Sequence, residues 1–487
     1  MQSEEDNIVE CNDKDSLKDK ETNGYGGTEN ISTDQDEERK LSLNSAYELI
    51  GLGTFQYIHW ATVFLASFTA HCVVTTLAII LPSLRCEWDL STNFEALIVT
   101  IPLLSSGISS ALLSKISDIY GRKPVLIFVY MSVSILVIIS AASPSKWFFL
   151  STRILLGLFN GIGKSPLVCY GIEFVESRFR EYGIVVQLAA NEGGMVAING
   201  VAWLLLLTVG WRWFMVIMIL PALPTLILLV ILPDSPRYLA VSGKEEKASK
   251  SIQFMAKLNK ADMPENIKIV CYENTQLGSS KELLSTHLRS IVLLCVIVTS
   301  LLFIQVGMTV FLPLLYSSAH CGTNSTLPDH GCVPLEKQDL SKLTVTSVFG
   351  LCGTFVALLI VVRVGRLIPL RAGYSALTLS MAALCFCLDE KVTFATTVVV
   401  KAVAGFLLTI LLIMTPESFP TKIRSTAGGV ILATGKIGAT LANASVYLLF
   451  FVHPLALIGL FFAMSAFGLI ASFVHKHETR DIVLQET

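Results

Sequence analysis

The chain has 487 residues, of which 53% are hydrophobic and 15% charged, with a mean hydropathy of +0.63. Soluble domains carry about 25% charged residues, so a soluble enzyme is excluded. A net charge of −2 and a pI near 6.5 supply no basic field for nucleic acid.

In chain order, residues 1–40 hold 13 Asp/Glu against one aromatic, Tyr25. That is the composition of a disordered segment, and a disordered acidic tail is predicted over 1–46. Twelve apolar stretches follow, at about 57–81, 94–114, 124–142, 148–172, 184–207, 211–232, 290–316, 343–362, 372–388, 394–415, 427–450 and 454–475. Each approaches the roughly 20 residues that cross a bilayer as a helix. Runs such as Val125–Ala142 are apolar on every side, unlike the alternating segments of a barrel. The acidic N-terminus and the long first stretch argue against a cleaved signal peptide. A polar block at 233–289 separates an N-terminal six-helix half (47–232) from a C-terminal one (290–475), with a tail at 476–487.

Lys and Arg orient the spans. The tails and even-numbered junctions hold 26 of the 36, including Lys115, Arg178, Arg237, Arg363, Arg371 and Lys422. The opposite junctions hold Arg85, Lys146, Arg212, Lys337, Lys342 and Lys391. Both termini and the 233–289 linker are therefore expected in the cytosol. The one sizeable outer loop, between spans seven and eight, carries the sequon Asn324-Ser325-Thr326 with Cys321 and Cys332. In an oxidising compartment a Cys321–Cys332 disulfide is favoured, with Asn324 as glycosylation site. The alternative, a metal site from His320, Cys321, His330 and Cys332, lacks a tight Cys-x-x-Cys pair. The remaining cysteines fall mostly inside spans and read as small apolar residues.

Short motifs recur at one spacing. Gly121 and Gly365, Glu173 and Glu417, and Arg180 and Arg424 are each 244 residues apart. The first copy reads Asp118-Ile-Tyr-Gly121-Arg122-Lys123 and the second Val364-Gly365-Arg366. A shared offset across separate motifs marks two halves repeated in the same orientation.

These residues carry a family resemblance. Gly121-Arg122-Lys123, Arg153-x-x-x-Gly157 and Leu232-Pro-Asp-Ser-Pro-Arg237 resemble the major facilitator superfamily. Leu81–Trp88, Gly210–Trp213, Leu239–Ala248 and Pro416–Pro420 are similar to its synaptic-vesicle-glycoprotein-2-related members, close to the organic cation and anion transporters. The resemblance implies an all-α, twelve-helix membrane protein of two pseudo-symmetric bundles, working by alternating access around a central site on a small organic solute, with a coupling ion as a second partner. It implies neither enzyme activity nor a cofactor, and a monomer suffices.

Physically, the inner motifs hold opposite charges at close spacing. Asp118 is expected to pair with Arg122 and to accept from the N-terminus of a facing helix, while Glu173 with Arg180, and Glu417 with Arg424, bridge adjacent helix ends. Together they form a cytosolic gate that latches the inner side, or else serve as static caps and topology signals. Val362 stands where the second copy would have Asp118's counterpart.

Ionisable groups inside spans are expensive, about 2.5–3.5 kcal/mol each on insertion scales, and usually functional. Here they are His71, Arg153, Lys164, Glu192, Lys401 and Lys436. Glu192 and Lys436 are also 244 apart, which predicts a pair across the cavity, either displaced by substrate or proton or permanent. Lys164 with Lys436 would make the cavity electropositive and favour an organic anion. Arg153 and Lys401 lie nearer the outer end, where snorkelling competes with a cavity role, and Gly157 and Gly405 four residues on permit close packing. The first span contains no Asp or Glu, leaving His71 as its titratable group. Gly161-Ile-Gly-Lys-Ser165 ends like a phosphate loop, but position 158 is Leu and the stretch is a span. The remaining alternative is a transporter-shaped receptor, regulator or trafficking component, in the plasma membrane or a vesicle.

Overall fold

The computed structural model describes residues 39–113, 116–176, 179–264, 267–270, 288–317, 335–386, 389–419, 421–450 and 454–475. The outer-loop candidates Cys321, Cys332 and Asn324 lie outside them, as does the 1–38 tail. The side chain of Arg424 is also not described.

Eight described stretches are long and apolar enough to cross a membrane. One, Tyr182–Ile231, has 50 residues. At 1.5 Å per residue it is far too long for one crossing, and it breaks at Gly210, whose φ of 77° and ψ of 166° no helix holds. Its start packs beside Trp60 near the beginning of span one, Trp211 and Arg212 meet Glu87 at the far end of span one, and Val230 returns to the starting side against Lys123. It is two spans, five and six. The helices Thr92–Leu112, Lys146–Ile172 and Thr421–Phe450 bring the described crossings to twelve. The others are Thr54–Trp88, Arg122–Ala141, Leu288–Ser317, Lys337–Val364, Leu367–Cys385, Glu390–Glu417 and Pro454–Val474. The protein is an all-α membrane protein of two six-helix halves, as expected.

The 244-residue repeat is physical. Gly161 of span four seats against the Ser106 carbonyl of span two, and Gly405 of span ten against the Gly350 carbonyl of span eight. All four positions match at 244. Any Cβ at either glycine would collide with backbone, so these crossings require glycine. Gly157 likewise lies on the Pro102 carbonyl. Spans one and seven keep a different register. Tyr130 and Tyr374, 244 apart, donate to Ala66 O at 2.7 Å and Ile297 O at 2.6 Å, acceptors 231 apart. The long outer loop between spans seven and eight accounts for the slip.

The face of the N-terminal half that carries the linker has more order than a 1–46 tail predicts. Arg39–Ser42 forms a parallel two-stranded ladder with Ile267–Val270, and Leu43–Ile50 is a helix capped by Ser42. Its buried face (Leu43, Ala46, Tyr47, Ile50) joins a small core with Ala248, Ile252, Met255 and Ala256 of the linker helix Glu245–Asn259. Tyr47 Oη donates to Glu173 O at 2.6 Å, and burial raises the phenol's pKa.

Candidate functional site

The in-span charges converge on the contact between the halves, with one exception. Glu192, on span five, accepts from Gln305 Nε2 of span seven at 3.1 Å, and its second oxygen faces Gly350 of span eight. Lys401 of span ten lies in electrostatic range of Glu192, its Nζ donating to Thr309 Oγ1 at 2.9 Å and to Gln305 O at 3.5 Å. His71 of span one packs against Gly194 of span five and feels both Lys164 and Lys401. Lys436 of span eleven reaches back to the N-terminal half, donating to Ser110 Oγ of span two at 3.0 Å. Lys164 is exposed.

Two expectations change here. Glu192 does not meet Lys436 in this structure: its partners are Gln305 and Lys401. Equivalent residues of a pseudo-two-fold pair face one another only near the axis, and span five packs on span eight, fixed by Asn199 donating to Leu343 O at 3.4 Å and to Ser347 Oγ. Arg153 is not a cavity residue. It is 4% exposed, packed inside the N-terminal half with its guanidinium 4.7 Å from the Phe149 ring and Nη2 3.1 Å from Met215 Sδ. Aromatic face and sulfur, rather than snorkelling to water, accommodate the charge.

The even-numbered junctions hold their arginines in ion pairs. Arg122 Nη2 meets Asp118 Oδ1 at 2.9 Å, as expected, and its Nε lies 3.4 Å from Glu173 Oε1. Arg366 forks onto Glu417 at 2.7 and 3.0 Å. Thus Glu173 and Glu417 each bind the preceding motif's arginine, within their own half. Gly121 and Gly365 sit at φ of 103° and 90°, which only glycine holds comfortably. The acceptor at the facing helix N-terminus is Asp234, not Asp118: Lys123 N donates to Asp234 Oδ1 at 3.3 Å, and a Cβ on Gly121 would lie 2.6 Å from the other oxygen. Lys123 Nζ caps Val230 O at 2.9 Å. Asp234 was legible as part of Leu232–Arg237; Gln305, Thr309 and Ser110 carry no sequence signal beyond being polar within spans. Cys86, just past the apolar stretch of span one, is disulfide-bonded, a pairing the sequence reading did not anticipate.

Two six-helix bundles whose in-span charges meet where the halves touch are the architecture of a membrane transporter of the major facilitator class. The chain belongs to the sugar (and other) transporter family, whose pattern matches residues 43–486. It is 29% identical to the Caenorhabditis elegans protein svop-1 over 92% of this chain and 88% of that one. It is 27% identical to the Rattus norvegicus synaptic vesicle 2-related protein, over 84% and 78% respectively. The inward-open xylose transporter XylE from E. coli superposes with a TM-score of 0.63 at 16% identity, covering 88% of this chain and 97% of that one, which concerns fold alone.

Proposed function

We propose that the chain carries a small organic anion across the membrane by alternating access. The observation behind this reading is the meeting of Lys164, His71 and Glu192 of one half with Lys401, Lys436 and Gln305 of the other. A site built from both halves is what rocking of one against the other exposes alternately. Three lysines against one carboxylate favour negative charge. Lysine offers a point charge rather than a bidentate fork, which suits a carboxylate without restricting its orientation. Asp118, Arg122, Lys123, Glu173 and Arg180, with Gly365, Arg366, Glu417 and Arg424, form the inner gate that rearranges with the halves. Both termini face the cytosol, and a vesicle or the plasma membrane is the residence in keeping with the vesicle-named relatives.

Purified protein in liposomes, empty or preloaded with the same solute and offered benzoate and choline with and without a pH gradient, tests the reading. Benzoate uptake above protein-free liposomes, reduced at least tenfold by Lys436→Gln, is expected. Choline uptake alone would reverse the polarity. Movement of neither solute, nor of any wider organic-ion panel, would favour a receptor or trafficking role.

A further inference from the structure

Lys164 and Lys436 have a relation that a single anion does not satisfy. Spans two and four touch where Gly161 meets Ser106 and Ser109. Lys164 lies one turn inward of Gly161, and Ser110 one turn inward of Ser106. Lys436 crosses from the opposite half to bond Ser110 at 3.0 Å, so its ammonium is held beside the turn that carries Lys164, within electrostatic range of it. Glu192 lies with Lys401 instead. Among the described residues no carboxylate meets Lys164 or Lys436, and Lys164 is exposed. Two like charges thus face each other across the boundary between the halves.

We infer that the site takes a doubly charged organic anion, a dicarboxylate or a phosphate monoester, which bridges Lys164 of the N-terminal half to Lys436 of the C-terminal half. The inference rests on the transport reading and narrows its substrate class. It carries a kinetic consequence. Closing the halves drives the two ammonium groups together in a region of low dielectric, where repulsion is strong. A bridging dianion removes that repulsion and an empty site does not. The loaded carrier therefore reorients readily and the empty one slowly, so the protein is an exchanger.

The test uses the full chain, with succinate as dicarboxylate, glycerol phosphate as phosphate monoester and butyrate as singly charged comparator. Binding is read from thermal stabilisation in detergent, and flux from liposomes preloaded with the same solute or empty. Succinate or glycerol phosphate should bind at least tenfold tighter than butyrate, and the stronger of the two identifies carboxylate or phosphate chemistry. Lys164→Gln and Lys436→Gln should each abolish the preference, while Lys164→Arg and Lys436→Arg retain it, separating lost charge from misfolding. Preloaded liposomes should exchange at least tenfold faster than empty ones fill. Equal or tighter butyrate binding, with butyrate flux intact, overturns the dianion and leaves transport standing. Equal rates into empty and loaded liposomes overturn the exchanger. Lysine-dependent succinate binding without flux upholds the dianion site and sinks transport.

Discussion

The two junctions at Gly121 and Gly365 are built on the same backbone and hold their charge differently. Arg122 and Arg366 each donate to a carbonyl five residues back, Ser117 O at 3.0 Å and Val361 O at 3.3 Å. Around Arg122 the negative charge is divided between Asp118, which is 52% exposed, and Glu173, and the guanidinium also lies 4.8 Å from the Tyr238 ring. Around Arg366 two bonds run to the single carboxylate of Glu417. The N-terminal junction is further buttressed from the linker, since Tyr238 donates to Ile119 O at 2.9 Å and Asp234 caps span three. A duplicated scaffold preserves the position of the arginine, while the security of its charge pairing is free to drift.

The largest effects should appear where the halves are alike. Gly161→Val and Gly405→Val both force a branched side chain into backbone, costing about 3 kcal/mol or more each. Matching losses of thermal stability in detergent would support equivalence of the span crossings, whereas a clear inequality would break it. The junctions should then separate. Glu417→Gln weakens a two-bond fork whose partners are mostly shielded, worth roughly 2 kcal/mol. Glu173→Gln weakens a longer, single contact between side chains no more exposed and leaves Asp118 in place, worth about 1 kcal/mol. The same melts measure both, and equal shifts would mean that the charge is not divided as the geometry says.

Much of this architecture was legible in the residues. Scarce charge fixes the spans, and recurring Gly, Glu and Arg at 244 expose the duplication because each has a backbone or electrostatic duty that few other residues perform. What symmetry could not deliver was partnership. It correctly makes Glu192 and Lys436 equivalent, but contact depends on which spans face each other and on the different register of spans one and seven. Hence Gln305, rather than Lys436, meets Glu192, with Lys401 within electrostatic range of it. Arg153 misled for another reason: composition registers a buried cation but not the Phe149 ring and Met215 sulfur that receive it. The ordered segment before residue 47 was hidden because its apolar residues form a face only when Ala248, Ile252 and Met255 are present to cover it.

That segment supplies the smallest and most local prediction, on the side of the molecule that has the extra support. Asn259, at the end of the linker helix, accepts from Phe55 N at 2.8 Å and donates to Gln56 Oε1 at 2.8 Å and Gly51 O at 3.3 Å. One side chain thereby ties the linker to the entry of span one, seated close against Gly53, where a Cβ would lie 2.5 Å from Asn259 Cγ. Asn259→Ala removes all three bonds at a partly solvated place, so water replaces much of what is lost and the net cost is about 1 kcal/mol. The helix and its apolar face remain, so the core around Met255 and Tyr47 should hold. Hydrogen exchange at Phe55 should quicken roughly fivefold, the factor that about 1 kcal/mol implies, with the Arg366–Glu417 junction unchanged. Faster exchange across both halves would show instead that the clasp supports the whole carrier, and that the two inner junctions are coupled through the linker rather than independent.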